Sequence, residues 1–180
     1  MPGFEDDLPE DIDAFDISEE EHSKLTGQIS ELDIAVAAWH EEGRWTLGLL
    51  PNPNDLGQII SRLKSQQTNG GAIALISIDE DFFILIRVLG SHISFFLSDA
   101  TAALDYEVAE DLLEIADIPI PEDDEEPQPI GQVEILADLG LSGMEISALC
   151  DDEELFPDEQ LEAIANRLGF GDQFAELLEL

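Results

Sequence analysis

The stretch that decides the fold is Ala72–Leu97, AIALISIDEDFFILIRVLGSHISFFL. It divides itself into three apolar runs. Ala72–Ile78 and Phe82–Val88 are separated by Asp79-Glu80-Asp81, and Gly90-Ser91 precedes His92–Leu97. Each run is six or seven residues long and rich in isoleucine, valine and phenylalanine. These side chains suit a pleated surface better than a helix. Acidic or glycine-containing breaks of two or three residues demand tight reversals. The reading is a three-stranded antiparallel meander.

Working outward, Leu32–Trp39 and Trp45–Leu50 flank Glu41-Glu42-Gly43-Arg44 and read as a hairpin. Pro51–Asp55 then breaks the strand and supplies helix caps. Leu56, Ile59, Ile60 and Leu63 follow at helical spacing. Arg62 and Lys64 fall near the end of that helix, where its dipole favours cations, and Asn69-Gly70-Gly71 stops it. Beyond the meander, Ser98-Asp99 caps one helical stretch carrying Leu104, Val108, Leu112, Leu113 and Ile115. The expected fold class is α+β, a five-stranded antiparallel sheet with helices on one face.

Segment 117–129 carries four of the nine prolines and six acids, and reads as an extended acidic linker. After it, Ser142-Gly143-Met144-Glu145 has the spacing of a capping box. Pro157 suits a first helical turn, and Gly169 ends the stripe Leu161, Ile164, Ala165, Leu168. Phe174, Leu177 and Leu178 suggest a last short helix. The expected organisation is therefore a disordered acidic leader at 1–31, a core domain at 32–116, the linker at 117–129 and a small helical subdomain at 130–180. A subdomain of that size is marginal alone and would dock on the sheet.

Charge is the dominant feature of composition. The 180 residues hold 43 acids against 6 lysines and arginines, a formal charge of −37. Of these charges, 29 lie outside residues 34–116. Affinity for nucleic acid comes mainly from cations that neutralise phosphate, so direct binding to nucleic acid is disfavoured, and so is an anionic membrane surface. Basic proteins and cations remain as partners. No apolar run approaches the roughly 20 residues of a membrane span. The opening Met-Pro-Gly-Phe-Glu-Asp-Asp lacks the features of a secretory signal. The expected location is the cytoplasm.

Catalytic and cofactor motifs are missing. The chain has no phosphate-binding glycine loop, no dinucleotide fingerprint and no nucleophile elbow. His22, His40 and His92 are isolated, and each reads as a structural or surface residue. Cys150 is the single cysteine and precedes Asp151-Asp152-Glu153-Glu154; the carboxylates suppress its thiolate, so it reads as a half-buried packing residue. Asp79-Glu80-Asp81 and Asp151–Glu154 are dense in oxygen ligands, yet neither follows the calcium-loop spacing. Trp39 and Trp45 bracket the first turn and read as packing residues. No enzyme activity and no cofactor are expected. The partner-binding candidates are Asp151, Asp152, Glu153 and Glu154, followed by Asp79, Glu80 and Asp81. A solvated face is the alternative for both groups, and the oligomeric state stays open.

Val36-Ala37-Ala38-Trp39 to Trp45, the strand pair Ala72–Val88, and Phe95-Phe96-Leu97-Ser98-Asp99-Ala100 form a recognisable series. Leu136-Ala137-Asp138-Leu139-Gly140 to Phe170 completes it. Over roughly residues 32–178 the chain resembles the bacterial tRNA adenosine deaminase-associated protein family of high-GC Gram-positive bacteria. The family takes its name from a gene lying beside that of the enzyme converting adenosine to inosine in tRNA. The resemblance implies no catalytic residues. The zinc deaminase signature, His-x-Glu with Pro-Cys-x-x-Cys, is absent, and one cysteine could not supply it. The resemblance and the charge together imply an accessory protein for a basic partner, most simply the tRNA deaminase. Other readings are a nucleic-acid mimic that inhibits a basic nucleic-acid-binding protein, an enzyme of unrecognised type using buried carboxylates, or acidity that only keeps the chain soluble.

Overall fold

The computed structural model describes residues 33–66 and 70–179. The expected leader and His22 lie outside them. Leu32–Leu180 form one compact unit. The strands are β1 (Ile34–Glu41), β2 (Arg44–Leu49), β3 (Ala72–Ile78), β4 (Phe82–Leu89), β5 (His92–Leu97) and β6 (Ile130–Gly131). They make one sheet in the order β2-β1-β3-β4-β5-β6, with every neighbour antiparallel. Among the described residues the α-helices are α1 (Leu56–Gln66), α2 (Glu107–Ile115), α3 (Gly143–Asp151), α4 (Pro157–Leu168) and α5 (Gly171–Leu178). None of these helices is long and apolar enough to cross a membrane.

The hairpin, the meander and the register follow the sequence reading, with Ile76 opposite Ile84 and Leu85 opposite Phe96. Two features correct it. The sheet has six strands and not five, and helices cover both of its faces and not one. Side chains alternate across a strand. Ala74, Ile76, Ile84 and Ile86 therefore pack with Leu63, Val108 and Leu112 of α1 and α2. Ile73, Leu75, Phe83, Leu85 and Phe96 point the other way, into a second core with Ile146, Leu161, Ile164, Phe170 and Phe174. Residues expected in a core domain and residues expected in a helical subdomain thus share that second core. The signal was present in the sequence. A strand with one wet face alternates apolar and polar residues, whereas β3 and β4 are almost uninterrupted apolar runs, the pattern of strands covered twice.

The sixth strand was missed because it has only two residues and adjoins a proline-rich segment. Gly131 sits at φ +119, and a Cβ there would lie 2.5 Å from the Phe95 carbonyl oxygen. Gln132 prolongs the pairing. Its backbone N–H donates to Phe95 O at 2.8 Å, and its side-chain oxygen accepts from Phe95 N at 2.9 Å. Gly131→Ala is expected to cost about 1–3 kcal/mol through strain and steric overlap. Urea unfolding checks this, and hydrogen exchange should quicken first at residues 130–132.

The single helix expected after Ser98-Asp99 is broken. Asp99 caps a 3-10 turn, Ala100–Leu104, accepting from Thr101 N at 2.9 Å, and α2 begins only at Glu107. Tyr106 lies extended at the break, its ring 5.0 Å from that of Phe82. The remaining caps agree with expectation. Ser142 and Glu145 form the capping box of α3, Pro157 opens α4, and Gly169 closes it at φ +102.

Segment 117–129 crosses from α2 to β6 as a strap. Ile118 packs against the first core and its N–H donates to Leu113 O at 2.9 Å. Farther along, Gln128 O accepts from Ala100 N at 2.8 Å.

Candidate functional site

The two acidic groups singled out in the sequence stand about 70 residues apart, yet both reach one cleft of about 290 Å³. Glu80 and Asp81 come from the β3–β4 turn, and Asp99 from the end of β5. Asp151, Asp152 and Glu153 come from the end of α3 and the loop leading to α4. Strap residues Pro127, Gln128 and Pro129 close one side. Asp79 and Glu154, the other two candidates, do not line it.

Local chemistry explains each placement. Asp81 N donates to Ile78 O at 2.8 Å, and both Asp79 (φ 54) and Glu80 (φ 61) are left-handed, the backbone of a tight hairpin turn. Glycine or asparagine would hold that conformation more easily than glutamate. Asp79 is engaged inward: the Tyr106 hydroxyl donates to it at 3.1 Å and also to Asp81, while Asp79 N donates to Asp33 Oδ1 at 2.9 Å. Burial, then the hydrogen bonds and charges of Asp81 and Asp79, push the Tyr106 phenol well above its ordinary range. Tyr106 is therefore a fixed donor that holds the Asp81 carboxylate in place.

On the other side, α3 ends in Asp151 with Asp152 as its C-cap and no basic residue in its last turn. The dipole of a helix makes this the unfavourable end for an acid. Asp152 Oδ1 accepts from Glu154 N at 3.0 Å, which turns the chain toward α4. There Gln160, almost fully buried, donates to Leu149 O at 2.5 Å and closes the floor. Phe156 stands on the rim with 56% of its surface exposed. Cys150 lies in the wall, and burial first, then Asp151, pushes its thiol up to about 11. It stays protonated at neutral pH and is a weak nucleophile.

Among the described residues no lysine, arginine or histidine lines the cleft. The register places Arg44 and Arg87 toward the opposite end of the sheet, and Arg167 pairs with Glu145 at 2.6 Å. Among the described residues no group of three or more His, Cys, Asp or Glu side chains is arranged to hold a metal ion. His40 is stacked on Trp45 at 3.9 Å between ring centroids, and His92 is an exposed strand start. Trp39 is buried in the first core, whereas Trp45 packs on Phe170 of the second and donates to Leu168 O at 3.2 Å. Sequence reasoning missed Asp99, Phe156, Gln160 and the strap. Asp99 carried a visible signal as a helix cap; the others depend on the path of the chain in space.

Comparison with known proteins adds the following. A family model described as Rv3753c-like tRNA adenosine deaminase-associated protein matches residues 33–171. Protein Rv3753c of Mycobacterium tuberculosis (strain ATCC 25618 / H37Rv) is 35% identical over 150 residues, covering 80% of this chain and 86% of the relative. No solved structure matches the chain.

Proposed function

We propose, from the premise that this chain belongs to the Rv3753c-like tRNA adenosine deaminase-associated protein family, that it is a non-catalytic accessory protein. Its acidic cleft holds a basic partner, most directly a tRNA adenosine deaminase. One observation carries the reading: acids from three separate segments converge on a cleft that no lysine, arginine or histidine lines among the described residues. Gathering like charges raises the energy of the folded chain. Acids at the end of α3 add a local electrostatic cost. A partner that brings cations into the cleft offsets both. A tRNA-binding enzyme presents such a surface, because phosphate recognition needs lysine and arginine.

The test is calorimetric titration of the full chain with the tRNA adenosine deaminase of the same organism. Screening shortens from about 10 Å at about 0.1 M salt to about 3 Å at about 1 M. Saturable binding that weakens sharply across that range, and competition by tRNA, are expected. Absence of binding at the lower salt would end the proposal.

A further inference from the structure

We infer that the strap 117–129 is the second half of the docking surface: an apolar groove that seats the hydrophobic side chains of an extended, lysine- or arginine-rich segment of the partner. The inference deepens the accessory reading and rests on it. Between the end of α2 and the strap lies a groove of about 470 Å³, floored by Ile118, Pro119 and Ile120 and walled by Glu110, Glu114 and Asp117. A neighbouring depression of about 250 Å³ shares Ile118–Ile120 and extends to Gln128, which also lines the acidic cleft. The two depressions thus share strap residues Ile118–Ile120, and the second shares Gln128 with the acidic cleft, so the three lie in succession along the strap.

Two properties select the occupant. Ile120 keeps 41% of its surface exposed along the strap, in a segment that apart from Ile118 and Gln128 is made of acids and prolines, so an apolar side chain finds a contact there. Among the described residues no lysine or arginine lines any of the three depressions, so charge complementarity selects an apolar side chain that arrives among cations. The chain's own residues 1–31, with eleven acids against one lysine, carry the wrong sign, and so does a second copy at −37. The groove is also preformed. The Ile118 N–H is anchored to Leu113 O, and prolines 119 and 121 fix the backbone, so little ordering cost accompanies binding.

The experiment uses the full chain and two dye-labelled peptides of about 12 residues, long enough to lie along the strap. Both carry equal numbers of lysines; one alternates them with leucine and the other with serine. Fluorescence polarisation should show the leucine peptide binding about tenfold tighter. Ile120→Ser should erase that preference and leave the serine peptide unaffected, with an unchanged thermal midpoint because the side chain is half exposed. Equal affinity of the two peptides for the unaltered chain, or a preference that survives Ile120→Ser, would overturn the inference. Deaminase binding with a normal Ile120→Ser variant and no peptide preference removes the groove alone. A peptide preference without deaminase binding removes the accessory reading and retains the groove.

Discussion

Replacing Arg87 with methionine is expected to lower the free energy of unfolding by about 2–4 kcal/mol. Arg87 rises from β4 toward the second core and is only 5% exposed. Its guanidinium donates to Ile135 O at 3.0 Å, to Gly70 O at 2.8 Å and to both carboxylate oxygens of Asp138 at 2.5 and 2.9 Å. One side chain thus fastens the end of α1's connection and the segment before α3 to the sheet. Methionine fills the space but leaves the buried Ile135 carbonyl without its donor, costing about 1–3 kcal/mol, whereas exposed Gly70 can turn its carbonyl to water. Asp138, 62% exposed, can also turn to water, so the Ile135 carbonyl and the lost packing, not the ion pair, set the loss. Arg87→Met with Asp138→Leu should therefore be no more stable than Arg87→Met alone. The thermal midpoint should fall by on the order of 10 °C. A fall below about 1 kcal/mol in urea unfolding would show that the clamp is dispensable.

The pH dependence separates the two contributions. Hydrogen bonds from Arg87 hold the Asp138 carboxyl below its ordinary value of 3.8. A depressed carboxyl stabilises the fold above its unfolded value and loses that contribution as pH falls through the folded one. Solvent screening at an exposed carboxylate keeps the effect to about 0.5–1 kcal/mol. Protonation of the many other acids relieves repulsion and acts in the opposite direction, so the readout is the difference between the unaltered chain and Asp138→Asn. That difference should be constant above about pH 5 and shrink as pH falls below 3.8 through the depressed folded value.

The second large effect concerns the cleft. Changing Glu80, Asp151, Asp152 and Glu153 to their amides should weaken binding of the basic partner about 10- to 100-fold at about 0.1 M salt. The loss should shrink at about 1 M, where screening has already removed the attraction. The same variant should be as stable as the unaltered chain or slightly more so, because the amides keep the local acceptors and relieve repulsion. Opposite signs on binding and stability distinguish a docking surface from a structural cluster. Changing Glu42 and Asp172 instead, near the Arg44 end, should alter affinity far less. Equal losses from both variants would reduce the effect to net charge and remove the cleft assignment.

What could be read from the chain follows the range of each physical signal. Turn chemistry and side-chain periodicity act over a few residues, so the hairpin, the meander, α1, the Ser142–Glu145 box and the Gly169 stop were legible. Whether one face or two faces of β3 and β4 are covered was also written, in their lack of alternation, though read as a single covered face. β6 was not legible, because two residues hold no periodicity and their conformation rests on Gly131 meeting Phe95 across the sheet.

The acids themselves were visible. Their convergence was not. Asp81 and Asp151 meet because β4 and β5 return the chain to the same end of the sheet while α3 lies on its second face, and the strap closes the space between them. Local sequence sets which residues carry charge and which segments are helix or strand, since those depend on neighbours in the chain. Only tertiary packing decides which charges share a cleft, because that depends on burying two apolar faces of one sheet at once.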